Sequence, residues 1–151
     1  MKYIKYFESL DYYKVISHDE YVRLMGSNGA RIGLNVVKLT IQERKILEDL
    51  LSTSNPTYVS YRFDKPIRLS SSHPSHGTRC LEIENRVGGD LVGYKSFVYG
   101  IEKVQDEWFV VYKHEIKKIS SINYKCDQLS GLIEFLKDEC IINTNILSES
   151  K

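Results

Sequence analysis

The stretch from Gln105 to Glu139, QDEWFVVYKHEIKKISSINYKCDQLSGLIEFLKDE, leaves the chain few ways to fold. From Trp108 it reads Trp, Phe, Val, Val, Tyr, Lys, His, a run of aromatic and β-branched residues that predicts a strand. Alternation puts Trp108, Val110, Tyr112 and His114 on one face, and Phe109, Val111 and Lys113 on the other. Both faces begin apolar and end polar, so the strand is expected to be central near Trp108 and to leave the core near His114. Gln105-Asp106-Glu107 is a polar break, and Lys95 to Val104 before it alternates again, so the two runs predict a β-hairpin without a strong Asn-Gly or Asp-Gly turn. After a second brief strand comes a helix. Asp127 is the expected N-cap, its carboxylate accepting first-turn N–H groups. Leu129, Leu132, Ile133 and Leu136 fall at i, i+3, i+4 and i+7, one apolar stripe. Each such side chain stabilises by about 1.5–3 kcal/mol when buried. Ser130, Glu134, Lys137 and Asp138 lie off the stripe. Gly131 costs about 1 kcal/mol relative to Ala inside a helix, and points to close approach of the helix to the sheet.

Upstream, Met1 to Ser9 is aromatic and mixed, and Asp11 to Ile16 is strand-like. Ser17 and Glu20, then Thr40 and Glu43, have capping-box spacing and predict helices to about Met25 and Leu51. Gly26 to Asn35 (GSNGARIGLN) reads as a loop, since a phosphate-binding loop needs Lys and Ser or Thr after its last glycine and this one has Leu34. Period-two runs follow at Tyr58 to Phe63, Ile67 to Ser70 and Arg79 to Arg86, and Gly88-Gly89-Asp90 turns into Leu91 to Tyr99. Grouped strands rather than alternating βα units predict an α+β fold: an antiparallel sheet of four to five strands, with the N-terminal helices and the C-terminal amphipathic helix packed on one face. Residues 1–142 are expected to form a single domain and 143–151 a frayed polar tail.

Composition narrows the class. At 42% hydrophobic and 27% charged residues, this is the make-up of an ordinary soluble globular domain rather than a disordered chain. No apolar run reaches the roughly 18 residues of a membrane span, and MKYIKYFES is too short and mixed for a secretory signal. The net charge of +1 supplies no global field for nucleic acid, leaving only a local patch. Cys80, Cys126 and Cys140 are odd in number, far apart and free of any CxxC, which predicts reduced thiols and a cytoplasmic location.

Candidate chemistry is sparse. His73, His76 and Cys80 offer two imidazoles and a thiol within eight residues, followed by Glu82 and Glu84, so a metal site is conceivable, though on a Ser/His/Gly loop that does not fix the ligands. Cys126 precedes a helix N-terminus, where a thiol pKa can fall, and His114 on the neighbouring strand could face it as a base. Tyr58, Tyr61, Arg62, Lys65 and Arg68 interleave aromatic and basic residues, as a sheet that stacks bases and tracks phosphates requires. Lys113, Lys117 and Lys118 add charge, while Glu82, Glu84, Glu102 and Glu115 oppose it.

Asp106-Glu107-Trp108-Phe109, then Tyr124-Lys125-Cys126-Asp127-Gln128-Leu129, Gly131-Leu132 and Leu136-Lys137, resemble a C-terminal module of small uncharacterised proteins of bacteriophages and environmental viral sequences. MKYIKYFES is similar to the starts of many of them. The resemblance spans the last third of the chain and its first few residues. It implies a viral or phage-like origin and an accessory role, and it carries over no catalytic residue and no cofactor. The expectation is a non-enzymatic accessory protein that binds a host or virion protein through a sheet edge or aromatic surface. The alternatives are a small domain binding RNA or single-stranded DNA, then a metal-dependent hydrolase.

Overall fold

A computed structural model describes residues 12–26, 35–53, 59–66, 78–89, 93–105, 107–118 and 120–142. The elements in chain order are β1 (Tyr13–Ile16), α1 (His18–Met25), β2 (Val36–Val37), α2 (Ile41–Ser52), β3 (Val59–Pro66), β4 (Thr78–Gly89), β5 (Gly93–Val104), β6 (Trp108–Glu115), β7 (Ser121–Asp127) and α3 (Gln128–Asp138). The α+β class holds, but among the described residues the sheet has seven strands rather than four or five. Its order is β1-β7-β6-β5-β4-β3, with β2 on β5, and every pairing is antiparallel. The expected hairpin between the run ending at Val104 and the strand at Trp108 is present, with Val104 opposite Trp108. Gln105 turns it with φ +54°. The strand that starts at Trp108 lies inside the sheet, between β7 and β5.

The helices do not share one face. Leu47 and Leu51 of α2 join Leu132, Phe135 and Leu136 of α3 over Leu81, Ile83, Ile101, Phe109 and Val111. Tyr21 and Met25 of α1 instead pack with Ile16, Val104 and Val110. Phe109 and Val110 point to opposite sides of β6, so the sheet is buried on both faces where the helices lie. The clean alternation expected of a one-sided sheet is therefore missing from β6, which reads as a continuous apolar run from Trp108 to Tyr112.

Capping follows the sequence in two helices out of three. Ser17 Oγ accepts the Glu20 N–H at 3.1 Å. Thr40 and Glu43 form a reciprocal box at 3.1 and 2.9 Å. Asp127 does sit at the N-cap of α3, but its side chain makes no cap bond. Its backbone N–H goes to the Tyr12 carbonyl (2.8 Å), and the next N–H, of Gln128, goes to Glu107 (3.2 Å). These two bonds fix the entry of the chain into α3.

The sheet forks where β5 passes from β4 to β2. Pairing with β4 ends at Leu81–Ile101, while β2 takes Lys103 and Val104. Two buried side chains seal the gap: the Glu102 carboxylate accepts the Cys80 N–H (3.1 Å), and the Cys80 thiol donates to the Val37 carbonyl (3.3 Å). On the other face Lys103 Nζ reaches Glu43 Oε1 at 2.8 Å, so the capping glutamate of α2 also ties that helix to β5. Burial raises the Glu43 pKa, but the Lys103 ammonium and the Thr40 N–H outweigh it and hold the carboxyl below its ordinary value. A depressed carboxyl stabilises the fold above its unfolded pKa and loses that contribution as pH falls through the folded value. Urea unfolding should therefore show wild-type stability falling more steeply than that of Glu43→Gln below about pH 4. Parallel acid profiles would remove Glu43 from this role.

Candidate functional site

Tyr61 and Arg62 are adjacent on β3 and therefore point to opposite faces. Tyr61 lies across from Ile83 and packs edge-on to Phe63 (5.9 Å between centroids), on the face carrying Phe109. Arg62 lies across from Glu82 on the face carrying Val110, where it lines a shallow depression with Ser60, Tyr61, Glu82, Glu84 and Val98. Tyr61 and Arg62 thus direct their side chains to opposite faces of the sheet, although both border this depression. Tyr58, Arg68, His73 and His76, and the side chain of Lys65, lie outside the described residues.

Cys80 and Cys126 are both buried. Burial pushes the Cys80 thiol up to about 11 and the Cys126 thiol up to about 12. Cys126 lies opposite Phe109, whereas His114 lies opposite Ser121 and points to the other face. The Cys126–His114 nucleophile–base pair weighed from the sequence is therefore not formed, because residues an odd number apart on β6 face opposite ways. Among the described residues no group of three or more His, Cys, Asp or Glu side chains converges to hold a metal ion. Titration with a thiol reagent at neutral pH should give one fast equivalent, from exposed Cys140, and two more only on unfolding. Fast reaction of Cys80 or Cys126 in the folded protein would contradict this placement.

On the Phe109 face, the end of α3 meets the sheet through a polar cluster that the sequence did not reveal. Glu139 accepts from the Tyr99 hydroxyl (2.8 Å) and pairs with Lys113 Nζ (2.7 Å), whose ammonium sits 4.9 Å from the centre of the Phe97 ring. Tyr13 donates to Asp138 beside it (2.5 Å). Burial, and then the neighbouring Glu139, push the Tyr99 phenol well above its ordinary value. Both hydroxyls thus stay protonated and act as fixed donors that hold α3 on the sheet, not as acids or bases. Glu139 lies beyond the helical stripe, and nothing in its spacing from Tyr99 or Lys113 marks the contact.

Beyond this cluster the β6–β7 turn carries two exposed lysines, Lys117 and Lys118. On the Phe109 face a depression of about 330 Å³ is lined by Phe97, Lys113, Glu115, Lys118, Ser121 and Ile122, with Ser120 at its rim. On the Val110 face a second, of about 270 Å³, is lined by Arg86, Ser96, Ile116 and Lys117. The turn closes by a bond from the Lys118 N–H to the Glu115 carbonyl (3.0 Å), with Lys117 at φ +84°. That is the third position of a type II turn, where glycine is usual.

Among the described residues the fold is α+β, one seven-stranded antiparallel sheet with three helices. No protein-family model, no curated protein and no solved structure matches this chain. No helix among the described residues is long and apolar enough to cross a membrane.

Proposed function

We propose that this chain is a non-enzymatic interaction protein, of the phage or viral accessory kind that its C-terminal motif resembles, and that it binds a protein partner along β1. The observation that carries this reading is the state of that edge. Val15 on β1 is 64% exposed and Ile122 on β7 is 44% exposed. Val15 lies across from Tyr124, two residues from Ile122 on the same face, so the two form a diagonal pair. β1 pairs on one side with β7 and has no described strand on the other, which leaves backbone donors and acceptors for an added strand. Its shortness and the exposed Lys14 are features that guard against indiscriminate pairing.

The double substitution Val15→Lys, Ile122→Lys tests this. Both positions are surface sites, so thermal stability should change by no more than about 0.5 kcal/mol each. A protein captured from host lysate by the wild type should be lost by the variant. Equal capture by both would discard the β1 edge. A second reading, a domain that binds single-stranded nucleic acid, is favoured by one observation: exposed Arg86, Lys95, Lys117 and Lys118 gather at one end of the sheet.

A further inference from the structure

We propose that the β6–β7 turn and the sheet end around it form a phosphate-binding site for single-stranded nucleic acid, with Lys117 and Arg86 on one face and Lys118 on the other. This rests on the second reading above and moves its seat away from the β3 edge. In register, Arg86 of β4 lies across from Ser96 of β5, and the Ile116 N–H bonds to the Ser96 carbonyl (2.7 Å), so Arg86 and the turn meet over one strand end. Neighbouring strands are about 4.8 Å apart, which spaces the cations over roughly 10 Å, the reach of two or three successive phosphates. Ser96, Ser120 and Ser121 place hydroxyls among them.

The two depressions open on opposite faces and share only the turn between them. A single strand can bend over that turn and use both, whereas a rigid duplex can reach only one. Ile116, 39% exposed at the crest, gives a base an apolar surface. Glu115 lines one depression and Glu84 lies exposed on β4, and both weaken the local field. Lys113 is already paired with Glu139. Arg86 already takes part in another interaction, so the net attraction comes mainly from Lys117 and Lys118, which predicts a salt slope of about −1.5 on a log–log plot for a single strand.

Lys117 supplies the decisive variant. A left-handed conformation is strained for lysine and open to glycine, so Lys117→Gly removes the charge while relieving the turn. The test is fluorescence anisotropy with a labelled 12-nucleotide single-stranded RNA and the matching DNA at low and raised salt. It compares wild type, Lys117→Gly, the double variant Lys117→Glu, Lys118→Glu, and Arg62→Ala. Expected are binding at low salt with a slope of about −1.5, at least threefold weaker binding for Lys117→Gly with a Tm no lower than wild type, at least tenfold weaker binding for the double variant, and no change for Arg62→Ala. No binding by wild type at low salt would end the nucleic-acid reading itself. Binding that survives the double variant but falls in Arg62→Ala would keep that reading and overturn this site. Equal binding to polyglutamate of the same length would make the site one for acidic proteins and also overturn the proposal.

Discussion

Phe135→Ala should lower the unfolding free energy by about 3–5 kcal/mol, the cost of truncating a fully buried phenylalanine. Phe135 is 0% exposed and stands at the junction of β1, β5, β7 and α3. Its ring lies 4.8 Å from Tyr124, 5.3 Å from Tyr13 and 6.0 Å from Tyr99, between centroids, with two of these contacts edge-on. Truncation removes the hydrophobic contribution of the ring and three aromatic contacts, and it leaves a void between three side chains, two of which are held elsewhere. Tyr13 is tied to Asp138 and Tyr99 to Glu139, so neither can collapse inward without breaking a hydrogen bond. Against a total stability of about 5–15 kcal/mol for a domain of this size, the loss is a large fraction. Urea unfolding followed by tyrosine fluorescence and by circular dichroism reads it directly. Phe135→Leu, which refills most of the volume, should cost less than half as much. A loss under about 1 kcal/mol for the alanine variant would mean that the ring is not the keystone of this core.

Phe135 also shows where sequence reading stops. The stripe Leu129, Leu132, Ile133, Leu136 was legible, and Leu132 and Leu136 are indeed buried. Phe135 lies three residues beyond Leu132 and belongs to the same apolar arc, but a strict four-residue stripe passes over it. Strand runs with aromatic and β-branched residues were equally legible, as were the helix starts at Ser17 and Thr40, because those signals are local. The number of strands was not. β2 is two residues long and is held by long-range pairing with Lys103 and Val104 of β5. The faces given to the helices were not legible either, since α1 has the composition of a helix that suits either side. At the surface, the grouping of Tyr61 with Arg62 passed over the alternation that points them to opposite faces, and the gathering of Arg86 with Lys117 depends on register between strands that no local pattern carries.

Gly131 is the position at which a substitution that favours the free helix should harm the protein. Alanine is about 1 kcal/mol better than glycine inside a helix, so Gly131→Ala would stabilise α3 taken alone. In the folded chain a Cβ at this position would lie 2.5 Å from the Tyr12 carbonyl oxygen, a distance no carbon–oxygen contact tolerates. The obstacle is backbone and cannot swing aside as a side chain would. The same carbonyl accepts the Asp127 N–H at 2.8 Å, in the register that continues the β1–β7 ladder at Tyr13–Cys126. Relief therefore requires either lifting α3 from the sheet or breaking that bond and freeing the start of β1. Overpacking of this kind costs about 1–3 kcal/mol beyond the propensity gain. Gly131→Ala should thus be destabilising overall, and Gly131→Val, with a β-branched side chain at the same contact, should cost about 3 kcal/mol. Thermal unfolding gives the sign, and hydrogen exchange gives the place, with protection lost first at Asp127 and along β1. A Gly131→Ala variant more stable than wild type would show that the helix rides higher on the sheet, and would remove close approach as the reason for glycine.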